Sequence, residues 1–234
     1  MRALVVEHDA MSPIGPIGDR LVQHGFEVTE LVVVPAERHH SPGVEIAFPE
    51  PSESDLVVVM GAPWSVDDEA AIGPWITDEL AMLRKAHTTG VPVLGICFGG
   101  QALATALGGG VERAPRPEIG WVEIETDEPA LVGPGPWFQY HFDRWVMPPG
   151  GIEIARDEVG PQAFRIGRSL GVQFHPELTV RELESWLANG AEKDMRGLGL
   201  DPAAVLDRTR ALAPEAERRA HAFVDAFLRH ARLR

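Results

Sequence analysis

The feature that most constrains the fold is the segment 95–101, GICFGGQ, which holds the only cysteine of the chain, Cys97, between glycines. The apolar residues 91–96 before it predict a strand, and residues 100–107 after it predict a helix. A residue in a G-x-Nuc-x-G frame between a strand and a helix occupies a strained turn, and the flanking glycines let neighbouring backbone approach closely. The pattern therefore predicts an α/β fold with Cys97 at the carboxyl end of a strand.

The surroundings of Cys97 are those of a nucleophile. The partial positive charge at the N-terminus of the following helix favours a thiolate over a thiol. A lone cysteine is more often a buried structural residue, but a structural cysteine has no need of glycines on both sides. We therefore predict that Cys97 is catalytic.

A second segment, residues 171–177 (GVQFHPE), supplies the groups that such a nucleophile needs. Pro176 favours an extended backbone at His175, and side chains two residues apart in an extended chain point to the same side. Glu177 can therefore accept a hydrogen bond from one imidazole nitrogen, while the other nitrogen faces the thiol. The alternative is a histidine at the end of a strand with an exposed glutamate. Taken with Cys97, the segment predicts a Cys-His-Glu triad for acyl transfer.

A third segment predicts an oxyanion hole. Residues 55–60 predict a buried strand that leads directly into the turn Gly61-Ala62-Pro63. A turn at this place can offer a backbone N–H to an oxyanion, and the N–H of Phe98 would be the second donor. The alternative is an ordinary turn between a strand and a loop.

Together these motifs resemble the class I (triad) glutamine amidotransferases, in the stand-alone form related to the glutaminase domain of GMP synthase. The resemblance covers roughly residues 50–190 and includes residues 117–121 and 139–143 as well as the motifs above. It implies a doubly wound, flavodoxin-like α/β fold. It also implies hydrolysis of the side-chain amide of glutamine through a thioester on Cys97, and family members pass the released ammonia to a synthetase active site.

The resemblance assigns further residues to the site. It implies that Gln101 contacts the polar end of the substrate and that His141 and Asp143 are structural or line the pocket. The chain departs from the family pattern at two places. Tyr140 stands where the family commonly has tryptophan. Ala62 replaces the second residue of a usual Gly-Gly-Pro turn, which keeps the backbone N–H but disfavours a positive φ.

The chain contains no evident means of activating an acceptor for ammonia. Neither Lys85 nor Lys193 follows a glycine, so there is no P-loop, and the pair His39-His40 has no further ligands at metal-binding spacing. We therefore expect no cofactor and no metal.

Three hypotheses about the function stay open. The protein is an amidotransferase that serves a separate synthetase subunit, or a hydrolase of γ-glutamyl amides or peptides that uses water as acceptor, or a catalytically silent binding protein. The intact triad counts against the third.

Length, charge and cysteine content limit the class of protein. The 234 residues predict a single domain over residues 1–234, and the formal net charge of −14 argues against nucleic acid or an anionic membrane as a partner. There is no apolar run of about 18 residues, which a membrane span needs, and residues 1–7 lack the layout of a signal peptide. Because one cysteine allows no internal disulfide, we expect a cytoplasmic location.

Hydrophobic patterns predict a doubly wound, mostly parallel sheet flanked by helices, with an antiparallel extension. Strands and helices alternate in the first half of the chain, with strands at 3–7, 27–34 and 55–60 and helices at 14–25 and 72–88. Short extended pieces follow, at 121–125, 137–141, 152–156, 163–166 and 169–174. Helices are predicted at 178–189, 202–212 and 214–232. The last helix has an apolar stripe that includes Phe223 and Phe227, and it either packs on its own domain or docks a partner.

Overall fold

The computed structural model describes residues 1–234, and most of its central strands are short runs of apolar, β-branched residues. The strands are β1 (Arg2–Glu7), β2 (Glu27–Val32), β3 (Leu56–Val59), β4 (Val93–Ile96), β5 (Gly110–Val122), β6 (Glu125–Thr126), β7 (Trp137–Val146), β8 (Ile152–Arg156), β9 (Pro161–Ile166) and β10 (Ser169–Val172). The α-helices are α1 (Gly15–Gln23), α2 (Glu69–Thr88), α3 (Phe98–Ala106), α4 (Val180–Trp186), α5 (Glu192–Gly197) and α6 (Pro202–His230). Two 3₁₀ turns (Ala36–Arg38 and Pro51–Glu53) and a π-helical segment (Leu187–Ala191) complete the elements.

Eight strands form one sheet in the order β2-β1-β3-β4-β10-β9-β8-β6. The first five strands of this order are parallel, and the last three continue the sheet in antiparallel pairs. Counted along the parallel part, the order 2-1-3-4-5 is that of flavodoxin-like folds. The predicted doubly wound sheet with an antiparallel extension is confirmed.

Three of the predicted extended pieces lie elsewhere than expected. The piece 121–125 is split, since residues 121–122 end β5 in a separate ribbon and residue 125 begins β6 at the edge of the sheet. Residues 137–141 belong to β7, which pairs with β5 in a separate two-stranded ribbon rather than in the extension. Residues 169–172 form β10, which lies parallel to β4 inside the sheet. Strand pairing joins residues far apart in the chain, so a local apolar pattern predicts that a strand exists but not which strand lies beside it.

Both faces of the parallel sheet are covered. Val5 and Val58 pack on one face with Ile17 of α1 and Phe223 of α6. Their sequence neighbours, such as Val57, point to the other face and pack against α2 and α3. Because successive side chains alternate between the faces, a strand that is covered on both sides needs an uninterrupted apolar run. That requirement explains the fully buried Leu-Val-Val-Val sequence of β3.

The C-terminal region is one continuous helix, α6, which runs through Pro214. The prediction of two helices, 202–212 and 214–232, is therefore wrong at this point, because buried residues on both sides of the proline hold α6 against the rest of the protein. Phe223 and Phe227 are part of the core, so the apolar stripe packs on its own domain rather than docking a partner. No helix of the structure is both long and apolar enough to cross a membrane; the cytoplasmic location stays a prediction.

Helix α3 lies unusually close to the sheet because three glycines form the contact. A Cβ on Gly95 would collide with the backbone of Gly99, and a Cβ on Gly99 would collide with the carbonyl group of Val59. A Cβ on Gly100 would lie 2.9 Å from the carbonyl oxygen of Val172. The glycines of the 95–101 segment are thus required by the contact between backbones, as the sequence predicted.

Helix α4 follows the His-Pro-Glu segment after a two-residue connection. It begins with a capping box, in which the Thr179 hydroxyl accepts from the N–H of Glu182 and the Glu182 carboxyl accepts from the N–H of Thr179. The predicted helix 178–189 corresponds to α4 and the beginning of the π-helical segment, in which non-helical backbone at Asn189 and Gly190 separates it from α5. Burial and then the charge of Glu177 raise the pKa of Glu182 to about 8.

The close contact between α3 and the sheet predicts an unequal effect of two Gly→Ala substitutions. Gly99→Ala forces backbone apart and is expected to destabilise the protein by about 2 kcal/mol or more. Gly197→Ala is the matched control, because a Cβ there meets no atom within 4 Å; the free energy of unfolding should change by less than about 1 kcal/mol. Urea unfolding followed by circular dichroism measures both. Equal stability of the two variants would contradict the packing argument.

The raised pKa of Glu182 predicts a stability that depends on pH. The unfolded carboxyl loses its proton near pH 4.5 and the folded one only near pH 8, so folding stability falls as pH rises between these values. Glu182→Gln keeps an acceptor for Thr179 and does not titrate. We expect the variant to be more stable than wild type at pH 9, by on the order of 3 kcal/mol, and similar to wild type at pH 5.

Urea unfolding at both pH values measures this difference. Glu37→Gln, which changes an exposed carboxylate, is the control. A difference between Glu182→Gln and wild type that stays constant from pH 5 to pH 9 would show that Glu182 does not hold its proton in the folded state.

Candidate active site

The candidate site lies where four parallel strands end. Strands β1, β3, β4 and β10 end at the same edge of the sheet, and the residues that follow them are His8, Gly61, Cys97 and His175. In open α/β sheets, ligands bind in the crevice at the carboxyl ends of the strands. The fold therefore brings the three predicted segments of the site together although they are far apart in the chain.

Cys97 occupies the strained turn that its flanking glycines predict. Its backbone has φ 50° and ψ −108°, and only one other non-glycine residue of the protein, Arg232, has a positive φ. Two hydrogen bonds hold the turn: Cys97 N–H donates to Val172 O at 2.8 Å, and Gly99 N–H donates to Met60 O at 3.1 Å. Such a conformation costs on the order of 1–3 kcal/mol and persists only where the surroundings impose it.

His175 and Glu177 form the predicted pair. His175 Nδ1 lies 2.7 Å from Glu177 Oε1, and both side chains are buried. The other ring nitrogen, Nε2, is also buried and makes no hydrogen bond. Burial alone would lower the pKa of His175, but the charge of Glu177 and then the sulfur of Cys97 outweigh it and raise the pKa well above its usual value.

Gly61 borders both Cys97 and His175. A Cβ on Gly61 would lie 3.0 Å from His175 Cε1 and 3.9 Å from Cys97 Cβ, so both side chains border the same backbone position. Glycine is therefore required at position 61 because a Cβ would crowd His175, and not because the backbone has a positive φ. The alanine at position 62 also has no positive φ, so the departure from Gly-Gly-Pro introduces no backbone strain.

The N–H groups of the predicted oxyanion hole are free of backbone partners. Neither Gly61 nor Ala62 donates a backbone hydrogen bond. Phe98 is the first residue of α3, and the first N–H groups of a helix have no acceptor within that helix. The three residues are thus close to Cys97 and able to donate, and their role stays a prediction.

Two adjacent cavities lie at the site, one lined by Cys97 and the other by His175. A cavity of about 400 Å³ is lined by Cys97 and Phe98 together with residues of the turn after β3, of β7 and of α5. A smaller cavity, of about 100 Å³, lies on the side of His175 and includes Asp9 and Ser12 in its lining. Ala62, Pro63, Tyr140, Asn189 and Ala191 line both.

Gln101 lines the larger cavity, but its amide nitrogen is already engaged within the protein. Nε2 donates to the carbonyl oxygen of Asp143 at 3.1 Å and to Gln173 Oε1 at 3.3 Å. Gln173 Nε2 in turn donates to Cys97 Sγ at 3.6 Å. The sequence did not predict this contact of Gln173 with Cys97, although Gln173 lies within the segment 171–177 that contains His175 and Glu177. The contact of Gln101 with substrate stays a prediction.

His141 and Asp143 line the larger cavity, as predicted. His141 is held on both ring nitrogens, Nε2 at 3.1 Å from Glu118 Oε2 and Nδ1 at 3.1 Å from the carbonyl oxygen of Asp143. With both nitrogens engaged, His141 has no nitrogen left for a substrate. The structure contains no group of three or more His, Cys, Asp or Glu side chains that could hold a metal ion.

Comparisons with known proteins identify the family of the chain. Residues 17–193 match the family model described as glutamine amidotransferase class-I. Two curated relatives are both named GMP synthase [glutamine-hydrolyzing]. The one from Aeropyrum pernix is 39% identical over 150 residues, which is 56% of this chain and 27% of the relative. The one from Rhodopseudomonas palustris is 32% identical over 181 residues, which is 68% of this chain and 31% of the relative. The chain thus spans about a third or less of these relatives.

Solved structures extend the likeness over nearly the whole chain. A glutamine amidotransferase from Thermotoga maritima has a TM-score of 0.82 at 23% identity, covering 97% of this chain and 98% of that one. A glutamine amido transferase from Methylobacillus flagellatus has a TM-score of 0.81 at 26% identity, covering 98% and 94%. The fold, the arrangement of the site and the match over residues 17–193 lead to one conclusion: this chain belongs to the class I glutamine amidotransferase family.

Proposed function

We propose that the protein is a glutaminase that hydrolyses the side-chain amide of glutamine through a thioester on Cys97. The observation that carries the proposal is the buried His175–Glu177 pair, with one ring nitrogen bonded to the carboxylate and the other unpaired, beside a cysteine held in a strained turn. A structural cysteine and a structural histidine would have no reason to meet in this arrangement at the end of the sheet.

The proposed reaction follows from these positions. Because the pKa of His175 is raised, the imidazole can keep the proton that it takes from the Cys97 thiol. The thiolate attacks the carboxamide carbon, and the N–H groups of Ala62 or Gly61 and of Phe98 stabilise the oxyanion. His175 then gives its proton to the departing ammonia and later takes one from the water that hydrolyses the thioester. Glutamate and ammonia are the products.

We further propose that the ammonia serves a separate acceptor enzyme. The family membership supports this, as do the relatives named GMP synthase, whose additional length lies outside the matched residues. A solved structure from Thermoplasma acidophilum, described as one subunit of a GMP synthase, shares the fold with this chain, with a TM-score of 0.54 at 20% identity.

A second candidate, a hydrolase of γ-glutamyl amides, is favoured by one observation. His175, which would give its proton to the leaving group, lines a cavity of about 100 Å³. Ammonia needs little room, whereas the amine of a larger γ-glutamyl amide would need such a space. The substrate panel below distinguishes the two candidates.

The proposal predicts that Cys97→Ala abolishes turnover while the fold is kept. With glutamine and a series of γ-glutamyl alkylamides as substrates, we expect wild type to release glutamate, and the variant to be slower by about 10⁴-fold or more. Release of glutamate and of ammonia or amine is measured by chromatography. Turnover of alkylamides but not of glutamine would select the second candidate. Turnover of none of them by wild type would reject both and favour a silent binding protein.

The Glu177 carboxylate predicts the pH dependence of the reaction. Since its charge raises the pKa of His175, Glu177→Gln should lower that pKa, so that His175 loses its proton at lower pH. We expect the descending limb of the pH profile of kcat/KM to move to lower pH. We also expect kcat to fall on the order of 10²- to 10⁴-fold.

Steady-state kinetics from pH 5 to pH 10 check this prediction, with Glu184→Gln as the control because Glu184 forms an ion pair with Arg210 at the surface. A profile that keeps its descending limb unchanged in Glu177→Gln would show that this carboxylate does not control the proton on His175.

A further inference from the structure

A second histidine–glutamate pair lies directly beneath the candidate oxyanion turn. His8 Nε2 lies 3.0 Å from Glu79 Oε1 and 3.2 Å from Oε2, and neither side chain is exposed to solvent. The other ring nitrogen, Nδ1, lies 3.0 Å from the carbonyl oxygen of Gly61. Because a carbonyl oxygen only accepts, Nδ1 must donate this hydrogen bond.

Burial of the His8–Glu79 pair costs desolvation free energy, and apolar side chains could fill the same space in the core. His8 packs in an apolar cluster, with its ring stacked on Trp75 at 5.6 Å and edge-on to Phe98 at 4.5 Å between centroids. A buried ion pair is often no more stabilising than apolar residues of the same volume. Burial lowers the pKa of His8, but the adjacent Glu79 outweighs this effect and raises the pKa. The one side-chain hydrogen bond that joins the pair to another residue is the bond from His8 to the carbonyl oxygen of Gly61.

That hydrogen bond sets the direction of the N–H of Ala62. The peptide unit between Gly61 and Ala62 is planar, and in a trans peptide the C=O and the N–H point in opposite directions. With the carbonyl oxygen held by His8 on the buried side, the N–H of Ala62 points away from His8. Ala62 lines both cavities, and its N–H has no backbone acceptor, so it is free to bind a ligand atom.

We propose that His8 and Glu79 are positioning residues that hold the peptide Gly61–Ala62 so that the N–H of Ala62 faces the oxyanion formed on Cys97. The inference rests on the proposed function, since it assigns that N–H to the same reaction. Neither residue touches the substrate. His8 acts through Gly61, and Glu79 acts through His8 by fixing the plane of its ring.

Two substitutions of His8 separate the two hydrogen bonds. Glutamine places its amide nitrogen near the position of Nε2, so His8→Gln keeps the bond to Glu79 and loses the bond to Gly61. Asparagine places its amide nitrogen near the position of Nδ1, so His8→Asn keeps the bond to Gly61 and leaves Glu79 buried without a partner. The same two substitutions at His87, whose side chain makes no hydrogen bond and which lies near the end of α2, are the matched controls.

The proposal predicts that the less active of the two His8 variants is the more stable one. His8→Gln should lower kcat by about tenfold or more with KM changed by less than about twofold, and its unfolding temperature should stay close to that of wild type. His8→Asn should unfold at lower temperature and yet retain kcat within a few-fold of wild type. A structural role alone predicts the reverse, with the less stable His8→Asn also the less active.

A second measurement needs no turnover. The aldehyde 5-oxopentanoate has the carbon skeleton of glutamine without its amino group, and addition of the Cys97 thiolate to its carbonyl carbon gives a hemithioacetal whose oxygen occupies the oxyanion position. Protection of Cys97 from iodoacetamide measures this addition. Alkylation itself displaces iodide and forms no oxyanion. His8→Gln should weaken protection by about tenfold or more and leave the rate of alkylation without aldehyde unchanged.

The outcomes distinguish this inference from the proposed function. If wild type hydrolyses glutamine and His8→Gln matches it in kcat and in aldehyde protection, the positioning role is overturned and the proposed function stands. A second outcome is that wild type hydrolyses no γ-glutamyl compound, while the aldehyde protects Cys97 in wild type and not in His8→Gln. The positioning role then stands and the proposed function fails. A wild type that neither turns over substrate nor is protected overturns both.

Discussion

Backbone contact between α3 and the sheet is the constraint on which the rest of the site depends. Without side chains at Gly95, Gly99 and Gly100, the helix can lie directly against the strands, and the carbonyl groups of Met60 and Val172 hold its first turn in place. This contact determines where Cys97 stands relative to the ends of β3 and β10. The turn at Gly61 and the ring of His175 then reach the thiol because they follow those two strands.

Burial controls the charge of the site. Around Gly61, one histidine–glutamate pair faces the thiol and a second lies beneath the turn. Burial raises the pKa of Glu182 to about 8, so near neutral pH that carboxyl is protonated and adds no negative charge beside Glu177. Among the carboxyl groups, Glu177 is therefore the one whose charge raises the pKa of His175, in addition to the sulfur of Cys97.

The sequence predicted the parts of the structure that local chemistry determines. The Cys97 turn, the His175–Glu177 pair and the parallel sheet follow from glycine spacing, proline geometry and apolar runs, which act over a few residues. The pairing of β5 with β7, the continuity of α6 through Pro214 and the contact of Gln173 with Cys97 depend on residues far apart in the chain. His8 could have been found, since it directly follows the first strand, where an α/β sheet places its ligands. Its partner Glu79 carries no such signal.

The left-handed backbone at Cys97 has an evolutionary consequence. Glycine adopts this conformation freely, so a protein that no longer used the thiol would become more stable by replacing it with glycine. Random drift would therefore remove the cysteine readily, and the change would meet no opposition from folding. A side chain at position 97 therefore costs the folded protein backbone strain that glycine would avoid, on the order of 1–3 kcal/mol.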